Sequence, residues 1–514
     1  MKKKAEILTV IISALLITIL FHDKLFGINV FIFEMAFLLW LVLSNRSFFS
    51  GLYPLSFTAA LVLSSAATVF THSVFGYAIH FFTLFTFVGL LIYPQAKSLV
   101  SSFGLALSNI SESQSQFFRA LGNSKYKGQK VGSRFRRIRI YLIPLIIIVL
   151  FVSIYQRSNP IFDGLVKDIS TYLNEVIVNF FKNLDIRVVI TFLLGLIVSN
   201  YLLLRIANQS IINYDLNAKL NLERIKQLIH KPFRFLALRN EYSAGVFLLL
   251  TLNVILLILN SIDIYWVWFN FKWEGQYLKQ FVHEGTYLLI LSILISIVLV
   301  LYFFRGNLNF YKRNKLLKIL SYIWLFQNAI LAISVGVRNF HYIANFALAY
   351  KRIGVILFLL LTLYGLFSVF IKVSKGKTGF YLFKTNAFAL SILLVVSAAI
   401  NWDHYIAHYN FKHSDRSFLH LAFMVKLSDK ALPLLDISAE KLYTIDSLQQ
   451  QKFSFKDTDI SADEYLKEIQ SRKIIFKREW EKKTWLEWNW PEYLAYKKLF
   501  PLGVENEIID EQKE

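Results

Sequence analysis

Glu34 stands midway along an apolar run, Phe31-Ile32-Phe33-Glu34-Met35. Inside a bilayer a carboxylate must be protonated, paired with a cation or turned toward a wet cavity. Two roles follow: a proton relay or substrate contact, or a protonated side chain bonded to a neighbouring helix. Further along, Gln327 and Asn328 share a run with Ser334 and Arg338. At 100° per residue, Gln327, Leu331, Ser334 and Arg338 lie within about 20° of one line. The line is expected to face other helices, either lining a pathway or bonding them together. His283-Glu284 opens another apolar run. Adjacent residues point about 100° apart on a helix, so the pair is no acid–base dyad by itself. A first-turn carboxylate that favours the helix start is the plainer role.

Asp403, His404 and His408 follow the last apolar run. His404 and His408 are four residues apart, but no H-E-x-x-H pattern surrounds them, and no metal is expected. Asp23, beside Lys24, is an acidic residue at the head of the first turn between apolar runs. The chain has no Walker A loop, no G-x-S-x-G and no dinucleotide fingerprint, so no cofactor is expected. It has no cysteine, which excludes disulfide and thiolate chemistry.

The elements that must carry these residues are membrane helices. The chain is 56% hydrophobic, and the excess over the 45–50% usual for soluble domains falls in blocks. Runs of about 20 apolar residues match the bilayer core, and the alternating ten-residue strands of a β-barrel are absent. The first run follows Met1-Lys2-Lys3-Lys4, and no A-x-A-like site follows it, so it reads as an uncleaved first helix. Further spans are placed near 28–43, 55–70, 74–93, 138–155, 187–204, 242–260, 284–304, 317–336, 352–371 and 382–400. That makes about eleven spans in an all-α bundle over residues 1–400. Residues 401–514 read as a small, soluble helical domain.

Loop charge orients the bundle. With the N-terminus inside, the inner segments hold 29 Lys/Arg and the outer ones 9, the asymmetry of the positive-inside rule. The N-terminus is then cytoplasmic and the C-terminal segment extracytoplasmic, in a cell membrane. The net charge of +22 therefore sits in inner loops and does not mark a nucleic-acid binder, because residues from Asn401 onward hold 17 Lys/Arg against 20 Asp/Glu. The partners implied are the bilayer and, at two basic inner loops (101–139 and 217–239), anionic lipid headgroups. In the outer loop 261–283, Trp266, Trp268, Trp273 and Tyr277 are interface anchors. In the tail, Ser461 with Glu464 forms a capping-box pattern for a helix running toward Trp480, and Pro491 fits the first turn of the next.

Several stretches resemble a known family. Trp324, Gln327-Asn328, Arg338, Tyr342-Ile343 and Arg352 follow one signature, with Arg239-Asn240-Glu241 and His283-Glu284-Gly285 upstream. Downstream, Asn401-Trp402-Asp403, Asn410 and Leu427-Ser428-Asp429-Lys430-Ala431-Leu432-Pro433 follow another, from which His408 and Lys430 depart. Together they resemble the bacterial membrane family called domain of unknown function 4173, close to its sister family 4153. The resemblance implies many membrane helices and an extracytoplasmic helical end, and no reaction. Three functions fit: an envelope scaffold or sensor, a secondary transporter, and a lipid-linked transferase. A cavity near Glu34 and Gln327 would go with transport. An outer cleft roofed by the tail, where Asp23 and Glu284 converge, would go with transfer. The absence of both would go with a scaffold.

Overall fold

The computed structural model describes residues 2–123, 125–126, 129–130, 144, 147–148, 150–181, 185–224, 233–271, 275–453 and 459–501. The longer helices are α1 (Lys2–Phe21), α2 (Ile28–Ser44), α3 (Leu52–Phe70), α4 (Val74–Ile92), α5 (Leu99–Asn123), α6 (Pro160–Phe181) and α7 (Ile186–Leu203). After the short α8 (Gln209–Asn217) come α9 (Phe233–Asp263), α10 (Gly275–Phe303), α11 (Lys315–Phe346), α12 (Tyr350–Lys375) and α13 (Gly379–Ala398). Among the described residues, apart from a two-residue antiparallel ladder pairing Lys125–Tyr126 with Gln129–Lys130 and a single bridge between Asn221 and Lys377, the architecture is helical.

Among the described residues, eight helices are long and apolar enough to cross a membrane, and Glu6–Phe21 and Ile28–Ser44 are shorter apolar helices. The span placed near 138–155 falls mostly outside the described residues. On α10, Leu288, Leu291, Ile295 and Val298 form an exposed stripe at helical spacing. A contiguous apolar face of this kind is out of place in water and natural against lipid tails. The helices are those of a protein embedded in a membrane.

Two sub-bundles share the load. In the first, α1 packs on α7, and α3, α4 and α5 pack in sequence around a core that includes Leu41, Leu61, Phe87 and Leu90. In the second, α11 lies against α9, α10 and α12 around Leu249, Ile293, Leu317 and Val335. Helix α13 joins them, touching α12 on one side and α3, α4 and α5 on the other. Close approach depends on small residues, as it does wherever lipid supplies no hydrophobic drive between helices. At Gly89 an added Cβ would lie 1.8 Å from the Ser102 carbonyl oxygen, so α4 and α5 cross backbone to backbone there.

The C-terminal segment folds as α14 (Trp402–Lys412), α15 (Leu421–Met424), α16 (Leu432–Leu435), α17 (Ala439–Lys452), α18 (Ala462–Lys482) and α19 (Trp490–Leu499). The capping box at Ser461 and Glu464 forms, and Pro491 sits in the first turn of α19. These helices do not keep a core to themselves. Ile406, Leu432 and Tyr465 share one apolar cluster with Ile343 and Leu348 around the α11–α12 turn and Ile353 of α12. The turn has Ala347 at φ +63, a left-handed conformation, and the Asn410 side chain bonds both the N–H (2.7 Å) and the carbonyl (3.0 Å) of Leu348. Residues 22–27 meet the same segment: the Ile28 N–H donates to the Trp488 carbonyl at 2.9 Å. The turns 22–27, 71–73 and 347–349 therefore share one end of the bundle with the C-terminal helices.

A polar cleft between the bundle end and the C-terminal helices

Asp403 lies in the first turn of α14, whose N-cap, Asn401, accepts from the His404 N–H at 3.3 Å. That turn aims the carboxylate inward, and Asp403 is buried. One carboxylate oxygen accepts from the Tyr350 hydroxyl. The other accepts from the Ser428 hydroxyl and from the Lys430 ammonium, both at 2.7 Å. Lys430 is itself buried and reaches on to the carbonyls of Thr71 (2.9 Å) and His72 (3.3 Å). One lysine thus joins the α3–α4 turn to the C-terminal helices. The turn presents those carbonyls because His72 adopts φ +43.

His72 faces Tyr77 through Nδ1 (2.9 Å to the hydroxyl) and Glu492 through Nε2 (3.5 Å). Burial, helped by the nearby positive charges of Lys483 and Lys430, pulls its pKa down to about 4 against the opposing pull of Glu492. His72 is therefore neutral at pH 7. Burial pushes the Glu492 carboxyl up, but His72, Lys483 and the Asn489 amide (2.7 Å) outweigh it and hold it below the usual carboxylate range. From α18, Arg472 bonds the carbonyls of Val425 and Leu427 and pairs with Asp429. His72, Ser428, Asp429, Lys430, Arg472 and Glu492 line a cleft of about 490 Å³. Donors and acceptors of both charges converge on it, the arrangement that recognises a small polar or zwitterionic solute.

Of the described candidates proposed from sequence, Asp403 alone reaches this cleft, through its bonds to the lining residues Ser428 and Lys430. Asp23 lies elsewhere, in an exposed cluster with Arg187 (3.2 Å), His22 (3.6 Å) and, through His22, Asp185. The side chains of His283 and Glu284 lie outside the described residues. Arg338 pairs with Asp263, the last residue of α9, and Asp403 is taken by Lys430.

The mid-membrane residues sit in two groups. Glu34 Oε2 is 3.7 Å from His80 Nε2, and His80 Nδ1 is 3.3 Å from the Ser64 hydroxyl. Gln327 donates to the Asn253 side chain at 2.8 Å, Asn260 donates to the Gln327 carbonyl at 3.0 Å, and Ser334 donates to Asp263 at 2.8 Å. Asn328 bonds the Trp324 carbonyl of its own helix at 2.8 Å. Neither His80 nor Asp263 was singled out from sequence. Asn253 and Asn260, seven residues apart on α9, repeat the spacing of Gln327 and Ser334, and that matching stripe was the available signal.

No curated protein and no solved structure matches the chain. The sequence resemblance pointed first to family 4173, but the match found is to its sister. Over residues 7–437 the chain matches the family described as Domain of unknown function (DUF4153), and it belongs to that family.

Proposed function

We propose that this is a non-enzymatic sensor or interaction protein of the cell envelope, whose ligand site is the cleft between the bundle end and the C-terminal helices. The cleft faces the extracytoplasmic side in this reading. One observation carries it: the walls come from both parts of the chain, His72 from the bundle and Ser428, Lys430, Arg472 and Glu492 from the C-terminal helices. A solute bound there holds the two parts together, so occupancy can be read by a partner as a change in how the C-terminal helices sit. The mixed charges fit a zwitterion, its carboxylate toward Arg472 and its ammonium toward Glu492. The test is thermal unfolding of the purified full chain against a panel of free amino acids and betaines. One or more should raise Tm, and Glu492→Gln should abolish the rise. Equal Tm throughout the panel refutes the reading.

A transferase reading has one arrangement in its favour. Asp403 stands between this cleft and a second, more apolar cavity, because its Tyr350 partner lines the latter. That reading requires a bound lipid to change mass when the solute is added, which mass spectrometry of the purified protein detects. The transporter reading rests on the Glu34–His80–Ser64 group, which neither cavity includes.

A further inference from the structure

The second cavity, of about 380 Å³, opens between α10, α11 and the start of α12, with Phe423 over it. We propose that it holds the headgroup of an anionic phospholipid. Its position sets the solvent. Tyr350 begins a helix long and apolar enough to span the membrane, and Thr286 lies within α10 at the head of the apolar stretch that follows His283-Glu284, so both walls reach the membrane edge. Tyr287 and Tyr350 are 54% and 46% exposed, and Leu288 and Leu291 continue the outer face of α10. The mouth of the cavity is therefore continuous with the surface that meets lipid tails.

Among the described residues the lining carries two cations, Lys351 and Arg352, and no carboxylate. The Arg352 guanidinium lies 4.5 Å from the Tyr342 ring centre and donates to the carbonyls of Phe346 (2.6 Å) and Ala347. Carbonyl dipoles satisfy part of its hydrogens but carry no net charge. Among the described residues no carboxylate forms an ion pair with Arg352 or Lys351. A half-buried charge at the membrane edge without an anion is costly, and a phosphate diester supplies one in the geometry a guanidinium prefers. The first turn of α12 adds to this. Ala349 is its N-cap and provides no side-chain acceptor, so the positive end of the helix dipole faces the same site. The acyl chains would lie along the exposed Leu288 and Leu291. This site is separate from the polar cleft, and it stands whether or not that cleft binds a solute.

The test uses the full chain in nanodiscs of phosphatidylcholine with added phosphatidylglycerol, with native mass spectrometry of the lipids retained on extraction. Phosphatidylglycerol should be enriched over phosphatidylcholine. Lys351→Gln should lower its retention about fivefold, the worth of one basic residue at an anionic surface. Lys441→Gln, an equal charge change on an exposed site of α17, should leave it unchanged. Lys351 is an exposed residue, so this variant tests the site without the folding risk of replacing Arg352. Equal retention of the two lipids, or the same loss in both variants, overturns the proposal. So does inorganic phosphate raising Tm as much as phosphatidylglycerol, because the site would then bind a soluble anion.

Discussion

Lys430 shows how much one buried charge can hold. It has Asp403 as counter-ion and two main-chain carbonyls as further acceptors. Lys430→Met would leave Asp403 with two hydroxyl donors and no positive charge. Breaking one side of a buried pair typically costs about 3–5 kcal/mol. The double variant with Asp403→Asn is expected to cost less than the two single changes added, and a double-mutant cycle on Tm checks this. His72 gives a second test. Tyr77, Glu492, Lys483 and Lys430 all face it, and its folded pKa of about 4 lies below the ordinary 6.5. Between those values the unfolded chain takes up a proton that the folded chain refuses. Its contribution is thus complete above pH 6.5 and is lost as pH falls toward 4. Glu492, also held low, adds to the loss below its ordinary 4.5. His72→Gln should flatten the fall in Tm over the His72 window, and an unchanged profile would contradict this. Residue-scale chemistry was only partly legible in the sequence. Spacing put Gln327, Ser334 and Arg338 on one line, because helical periodicity is local. Asp263, the partner of Ser334 and Arg338, lies 75 residues from Arg338 along the chain and needs the packing of α9 on α11 to be found.

Helices were the most legible scale, because apolar length and cap chemistry are written locally. Ser461, Glu464 and Pro491 sit where cap rules put them. Backbone approach between helices is not written that way, since a glycine in an apolar run looks the same whether or not another helix touches it. Gly89 is such a case, with an added Cβ 1.8 Å from the Ser102 carbonyl oxygen. That atom is backbone and cannot swing aside. Gly89→Ala should therefore push α5 off α4 and cost about 1–3 kcal/mol or more, as overpacking does. Gly354, where an added Cβ meets nothing within 4 Å, is the control: Gly354→Ala should leave Tm unchanged or raise it. Equal losses at both positions would argue against the crossing.

For the whole molecule, composition led to separate 1–400 and 401–514 units, whereas the apolar cluster around Ile406, Leu432 and Tyr465 takes in Ile343, Leu348 and Ile353. A composition shift marks where the chain leaves the bilayer, and it is blind to what the emerging helices then cover. Orientation is the global property that loop charge addresses. The end of the bundle with the C-terminal helices also carries the turns 22–27, 71–73 and 347–349, while Arg46, Lys97, Lys219, Lys375 and Lys377 lie in or beside the connections at the other end. A membrane that retains Lys and Arg on its cytoplasmic side would place those connections inside and the cleft outside. Reporter fusions after Ser111 and after Lys452 separate the possibilities. Ser111 lies on α5, which follows Lys97, and Lys452 ends α17. The fusion at Ser111 should report cytoplasm and that at Lys452 the extracytoplasmic side. Reports from the same side would break the topology, and exchanged reports would turn the cleft toward the cytoplasm, where an envelope sensor has no use for it.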